Sequence, residues 1–462
     1  MTASAAYIPP RPVPLPATLS LLRVLWRREG DLLNLLPSNA YTADAGWLGW
    51  SRRSILIVNE PATVRHLLAD PDGIFPKNDL MTGAVEPLIG DSIFVSSGET
   101  WRRQRRMVAP AFGNLHLAKA FVAMDGAVDA REAALDAAAE AGEAVSLDLV
   151  MSWLTADVIC RTVFSAPLAH GVAEDVYDDF KVFERSAAHV ELKRLILSPA
   201  FEDIPQHPHV LEACARIRRH LGAMVDPHLL EGADFDDIAS AVIAARDPET
   251  GKPFTREELI DQLGVFFLAG HETSASALTW AFFIAATRPE TLARIRAEVD
   301  AVCGDGPVEF EHMPRLTYLK NFFREVLRLY PPITFIPRVA LKDTEILGKR
   351  VKRGAMVMIA PWTVQRHRKY WDQPEAFDPD RWLPERAGEL TKDAYIPFGI
   401  GPRVCVGAAF ATMEAALILA RLLRRYDFEV DGADAVRPAA RLTTRPSEPI
   451  SVVPRRRNGM SR

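Results

Sequence analysis

Cysteine is scarce in this chain. Four cysteines stand among 462 residues, at 160, 214, 303 and 405, and no two form a C-x-x-C pair. Such spacing supports neither a disulfide framework nor a zinc site, and it suits a reducing compartment, the cytoplasm. Long apolar runs are missing too. The N-terminal stretch Leu19–Trp26 is interrupted by Arg23 and is too short for a signal peptide or a membrane anchor. The Leu-rich patch from Leu19 to Leu36 is therefore expected to be buried against the body of the protein rather than to lie on a membrane. A net charge of −5 excludes a general nucleic-acid binder. Repeats and linkers are absent, so residues 54–453 read as a single domain. Residues 1–53, with prolines at 9, 10, 12, 14 and 16, are an extended segment and first helix of that same domain, and residues 454–462 are a basic, frayed tail. With 48% hydrophobic and 25% charged residues the material is ordinary globular protein.

The most informative stretch is Pro397 to Gly407. Gly399 and Gly401 flank Ile400 and precede Pro402, which predicts a bent, stiff loop, and the text turns helical from Ala408 to Leu423. Cys405 thus stands just before a helix N-terminus, whose partial positive charge, with Arg403 nearby, favours a thiolate. A lone cysteine is most often a small buried hydrophobe. Here, however, the spacing F-x-x-G-x-R-x-C-x-G is filled by Phe398, Gly401, Arg403, Cys405 and Gly407. It resembles the haem-ligand loop of the cytochrome P450 superfamily, in which the cysteine is the axial ligand of haem iron. The resemblance runs from about residue 54 to 453. It implies a mainly α fold with a smaller β-rich lobe, one haem b, a soluble bacterial-type protein, and Cys405 on the metal.

Three further motifs carry the same resemblance. Trp101 and Arg105 are four apart on a helix that opens at Glu99, so they share a face; the family's W-x-x-x-R meets a haem propionate. Arg338 falls where the family places a second propionate donor, beside Arg403. The other arginines of that helix, Arg102, Arg103 and Arg106, form either a solvated basic face or a patch for an acidic, ferredoxin-type electron donor.

A capping box, Thr255-x-x-Glu258, opens an unbroken helical run to Arg288. Its apolar middle holds Ala269-Gly270-His271-Glu272-Thr273. Gly and Thr weaken a helix interior, which is explained either by tight packing with a back-bonded Thr hydroxyl or by function. The family's A-G-x-[DE]-T leaves room for dioxygen at Ala269 and Gly270 and organises protons through Glu272 and Thr273. Finally, Glu325-x-x-Arg328 precedes Phe377-Asp378-Pro379-Asp380-Arg381-Trp382, similar to the family's P-x-R-F with Trp in the last place. Glu325, Arg328 and Arg381 would form a buried ion network pinning the cysteine loop.

Asp79 to Val95 loses periodicity and reads as a loop, which in the family lies over the haem. Leu80, Phe94, Phe266, Ala269, Ile333, Phe335, Leu442 and Thr443 would face an apolar substrate, with Phe201 and its neighbours as a roof. The activity implied is insertion of one oxygen atom from O2 into a C–H bond or alkene, with electrons from NAD(P)H through a separate partner. Two other classes share the cysteine: a haem-thiolate sensor has no need of Glu272 and Thr273, and a peroxide-dependent oxygenase usually lacks them.

Overall fold

The longest helix begins at the expected capping box. Thr255 Oγ1 accepts from the Glu258 amide at 3.2 Å and Glu258 Oε2 accepts from the Thr255 amide at 2.7 Å, so two donors otherwise left open at the helix start are satisfied. In the computed structural model this helix, Arg256–Thr287, runs 32 residues, about 48 Å, and is buried on nearly every side from Leu259 to Leu268 and from Ser274 to Ala285. The structure describes residues 7–27, 31–48, 55–168, 175, 178–180, 182–184 and 206–457; Phe201 lies outside them.

Helix Leu147–Phe164 packs along the central helix, and helix Asn114–Ala141 packs on Leu147–Phe164. The cysteine helix, Ala408–Arg425, rests on both Asn114–Ala141 and the central helix. The larger sheet runs in the order Ala45–Leu48, Ile55–Val58, Met356–Ile359, Ile336–Val339, with its middle pair parallel and the outer pairs antiparallel. Both middle strands are buried at every position, as strands covered on two faces must be. Pro438–Ala440 and Thr444–Pro446 form a separate hairpin around residues 441–443. No single helix among the described residues is long and apolar enough to cross a membrane.

Three expectations are corrected. Asp79 to Ile89 is a helix rather than a loop, with Pro87 inside it. Proline cannot donate to the carbonyl four residues back, and that carbonyl, Gly83 O, instead accepts from Gln206 Nε2 at 2.9 Å. The tail does not fray at Arg455: the strand Ser451–Arg456 pairs with Tyr426–Val430, Arg456 meets Asp136, and the Arg457 amide reaches Arg425 O at 3.0 Å. The Leu-rich patch is divided. Leu33, Leu35 and Leu36 are buried as expected, whereas Leu19 and Leu22 on helix Ala17–Arg27 are exposed.

Candidate functional site

Cys405 is held by its own loop. Its amide donates to Phe398 O at 2.9 Å, and the Val404 amide donates to Gly401 O at 3.1 Å. Gly401 has φ 78°, and a Cβ there would stand 3.3 Å from Leu68 O, so both the turn and its close approach to helix Pro61–Ala69 require glycine. Cys405 is the one exposed cysteine of the four. Although its side chain keeps accessible surface, the residue is deeply surrounded by protein, and that depth pushes its thiol pKa up against the Gly407 amide and the Arg105 charge. The cation that acts on the sulfur is therefore Arg105 and not Arg403, and the helix end and its charges do not win over burial. Burial also pushes Cys160 up to about 12 and Cys214 to about 11; both are inert packing thiols.

Four cations gather beside this loop. Arg105 Nη1 donates to Val404 O at 2.9 Å. The Arg403 guanidinium stacks 4.3 Å over the Trp101 ring and donates from Nη2 to Ser96 O at 3.1 Å, while its buried Nη1 has no hydrogen-bond partner. Arg338 is buried, with one bond from Nη1 to Pro337 O at 3.1 Å. Lys77, which bridges to Arg338 in the backbone and lies 4.5 Å over the Phe94 ring, completes the set. Burial lowers Arg338 and Arg403 to about 10, and burial followed by the charges of Arg403 and Arg338 drives Lys77 well below its ordinary value. The Asp70 carboxylate offsets the two arginines from a position where it also accepts from the Ile74 and Phe75 amides. Buried positive charge left this short of partners is costly. A dianionic group with an iron centre, as the resemblance implies, fits an exposed cysteine sulfur, which a bound metal would hold as thiolate, beside the unpartnered guanidinium nitrogen of Arg403.

The central helix presents Ala269, which is exposed, and Thr273, which is partly so. Thr273 Oγ1 donates to Ala269 O at 2.6 Å, the back-bonded arrangement. Gly270 turns its open side to the neighbouring helix: a Cβ there would come within 2.4 Å of Ile159 Cδ1. Close helix packing accounts for this glycine. Glu272 is buried and bound on both oxygens, accepting from Arg445 Nη2 at 2.5 Å, Arg445 Nε at 3.0 Å and Thr443 Oγ1 at 2.6 Å. Burial pushes the Glu272 pKa up, but Arg445 overrules it and holds the carboxylate ionised.

Glu325 and Arg328 are wholly buried and paired at 2.7 Å, and Arg381 Nε lies 3.4 Å from Glu325. The indole of Trp382 joins them, donating to Glu325 Oε2 at 3.1 Å. The tie to the cysteine loop is Gln365, which spacing did not single out. Its backbone oxygen accepts from Arg328 Nη1 at 2.9 Å, its amide nitrogen donates to Leu327 O and Arg328 O, and its Oε1 accepts from the Ile396 amide at 2.8 Å. Ile396 O in turn accepts from the Gly399 amide at 3.0 Å, inside the loop.

Other expected site residues are placed as follows. Phe266 is buried edge-on against Phe112 at 5.1 Å. Thr443 is buried with its hydroxyl committed to Glu272, while Phe94, Ile333, Phe335 and Leu442 are half-buried. The side chain of Leu80 lies outside the described residues. Arg102, Arg103 and Arg106 do not form a free basic face. They pair with Glu99, Glu258, Asp247 and Glu249, so three cations meet four acids. Lys77, Gln365 and Arg445 are residues that sequence reasoning missed; none belongs to a spaced motif.

A family model described as Cytochrome P450 matches residues 9–453. Cyclooctatin synthase of Streptomyces melanosporofaciens is 32% identical over 430 residues, covering 93% of this chain and 91% of that protein. Cyclooctat-9-en-7-ol 5-monooxygenase of the same organism is 33% identical over 420 residues, covering 90% and 88%. Pentalenene oxygenase of Streptomyces avermitilis is 27% identical over 435 residues, covering 93% and 94%. In fold, the chain matches the crystal structure of the cytochrome P450DA heme domain with a TM-score of 0.78, 24% identity and 90% of each chain covered.

Proposed function

The chain belongs to the cytochrome P450 family and is a haem monooxygenase of that family, and from that premise we propose that it oxidises an unsaturated apolar carbocycle of the kind named in two of its relatives. Hydroxylation or epoxidation would draw electrons from NAD(P)H through a separate ferredoxin-type partner, in the cytoplasm. The bound haem supplies oxygen activation and the C–H or alkene oxidation itself. Cys405 would supply the thiolate ligand to the haem iron, Arg105, Arg338, Arg403, Lys77 and Trp101 would hold the haem's acidic groups, and Phe398, Gly401 and Gly407 shape the loop that carries the sulfur.

Ala269 and Thr273 form the wall over the site, and Ile333, Phe335 and Leu442 contribute its half-buried apolar lining. Thr273 Oγ1 takes up and passes on protons by turning from Ala269 O, its present partner. Glu272 serves that exchange only when Arg445 and Thr443 release it, because the paired carboxylate carries no proton to give. The acidic electron donor meets Lys320 and Arg324, beside the groove of about 520 Å³ that borders Phe398 and the first turn of the cysteine helix, in place of the self-neutralised arginines 102, 103 and 106.

The observation that carries this reading is the set of buried and half-buried, carboxylate-poor cations around an exposed cysteine. Its test is optical. The reduced carbonyl complex should absorb far to the red of a histidine-ligated haem, and Cys405→His should abolish that band while alanine at 160, 214 or 303 leaves it. An unchanged band in Cys405→His defeats the assignment. Cyclic alkenes and alkenols titrated against the haem spin state then test the substrate class, and a response confined to straight-chain fatty acids excludes it.

A further inference from the structure

The first 28 residues carry arginines at 11, 23, 27 and 28 and no acidic residue, in a chain whose net charge is −5. Such a sign asymmetry at one end of a sequence marks a segment that meets a negative partner. Arg11 is spoken for, since it pairs with Glu375 at 3.4 Å. Arg23 has no carboxylate partner among the described residues. Its Nη1 donates to Val13 O at 3.3 Å, its Nη2 donates to Asn34 O at 3.4 Å, and its Nε is without a hydrogen-bond partner. Carbonyl oxygens orient this guanidinium and leave its charge uncompensated. Arg27 ends helix Ala17–Arg27, and Arg28 follows it in the sequence.

The same helix is turned against the usual order of a surface helix. Ser20 is fully buried and donates to Leu15 O at 3.1 Å, while Leu19 is 50% and Leu22 59% exposed. The two leucines are three positions apart and share a face. Val13, whose carbonyl Arg23 holds to the helix, is 72% exposed. A helix that served only to cover the body of the protein would bury its leucines and expose its serine. Single apolar side chains on a surface need no explanation, but a group of them beside an unpaired cation marks an interaction face.

We propose that Val13, Leu19 and Leu22 enter the interfacial layer of an anionic lipid bilayer, with Arg23, Arg27 and Arg28 meeting its headgroup phosphates. Apolar area supplies the insertion and the cations supply attraction to a negative leaflet, a pairing that acids in the segment would weaken. Eleven residues are too few to span a bilayer, so the helix lies along the surface. A second copy of the chain fits less well. A two-fold contact would set this face against itself and bring its arginines together. The face is also joined to the substrate side of the molecule. Arg23 holds Asn34 O in the turn Leu32–Leu35, and Asp31, which caps that turn, accepts from the Ala440 amide at 2.8 Å. Ala440 leads into residues 441–443, where Leu442 stands. An apolar substrate dissolved in lipid would meet the enzyme at this edge. The lipid contact itself stands on these residues alone, whether or not a carbocycle is oxidised.

Cosedimentation of the holoenzyme with lipid vesicles tests this. Phosphatidylglycerol vesicles should bind it more tightly than phosphatidylcholine vesicles, and added salt should narrow the difference. Leu19→Gln with Leu22→Gln should weaken binding to phosphatidylglycerol by about tenfold, and Arg23→Gln by about fivefold, whereas Arg23→Lys should retain it. Haem content and the reduced carbonyl band should be unchanged in all of them, which shows that the variants are folded. Equal binding to the two kinds of vesicle overturns the proposal, as does binding that survives the double leucine substitution. Wild-type protein that stays in the supernatant as a dimer, which the leucine substitutions dissociate, assigns the face to a second copy and overturns it as well.

Discussion

The Trp382 indole N–H and the Glu325 carboxylate are hydrogen-bonded at 3.1 Å in the interior, 57 positions apart in the chain. A phenylalanine in that place would fill the same space and leave Glu325 Oε2 with the Arg328 Nε–H alone, at 2.9 Å. Tryptophan here is thus a donor as well as an aromatic plug. Trp382→Phe should cost about 1.5–3 kcal/mol, the range for a hydrogen bond to a charged group, against on the order of 3–5 kcal/mol for Glu325→Ala, which strands Arg328. Thermal unfolding of the two variants checks the order, and equal losses would reduce the indole to packing.

Gln365 is fully buried and joins that network to the cysteine loop. In Gln365→Leu the Ile396 amide loses its partner, at about 1–3 kcal/mol for an unsatisfied buried donor, while the Glu325–Arg328 pair remains. The haem-to-protein ratio after purification should fall although the helical circular dichroism is retained. Full haem loading would show that the loop does not depend on this tie.

Thr273 offers a substitution with a directional outcome. Thr273→Ala should bind haem and substrate and accept electrons, yet release more peroxide and less product per electron, and Thr273→Ser should keep much of the coupling. Measured product and peroxide yields decide it; undiminished coupling in the alanine variant would leave Thr273 as a helix-packing residue bonded to Ala269 O.

Acid should weaken the closure of the C-terminal strand. Burial raises the Asp136 pKa, but bonds from Arg456, Tyr426 and Arg425 overrule it and bring it to about 2, from an ordinary 3.8. A carboxyl depressed on folding adds stability above its unfolded pKa and loses it as pH falls through the folded one. The contribution should therefore be complete at neutral pH and fade between about pH 4 and pH 2. On this partly solvated group it is on the order of 1 kcal/mol once screening is allowed for. Denaturant unfolding of Asp136→Asn beside wild type should show a gap at pH 7 that closes toward pH 2, and a gap constant with pH would remove Asp136 from the account.

The features legible in the sequence were those whose partners are near in it. Trp101 and Arg105 share a helical face four residues apart, Thr255 and Glu258 close a capping box, and the cysteine loop is a run of eleven residues. Helix Asp79–Ile89 was hidden because its Gly83 and Pro87 argue locally for a loop, and the group that rescues the open carbonyl, Gln206, is 123 residues away. Distance hid the site electrostatics as well. Glu272 looked free until Arg445, 173 residues on, came to hold it. Lys77 has no motif at all, and its place follows from the β-bridge that sets it beside Arg338.

The fastening of Thr443 and Arg445 to Glu272 also imposes an order of events during synthesis. The central helix leaves the ribosome before its counter-ion does, so for the 173 positions that separate Glu272 from Arg445 the carboxylate is a charge that an apolar helix cannot bury without penalty. Until the last hairpin has emerged, packing that helix against Leu147–Phe164 and the cysteine helix leaves Glu272 buried without its partners. A nascent protein stalled before Thr443 should therefore take up haem less readily than one that carries the hairpin.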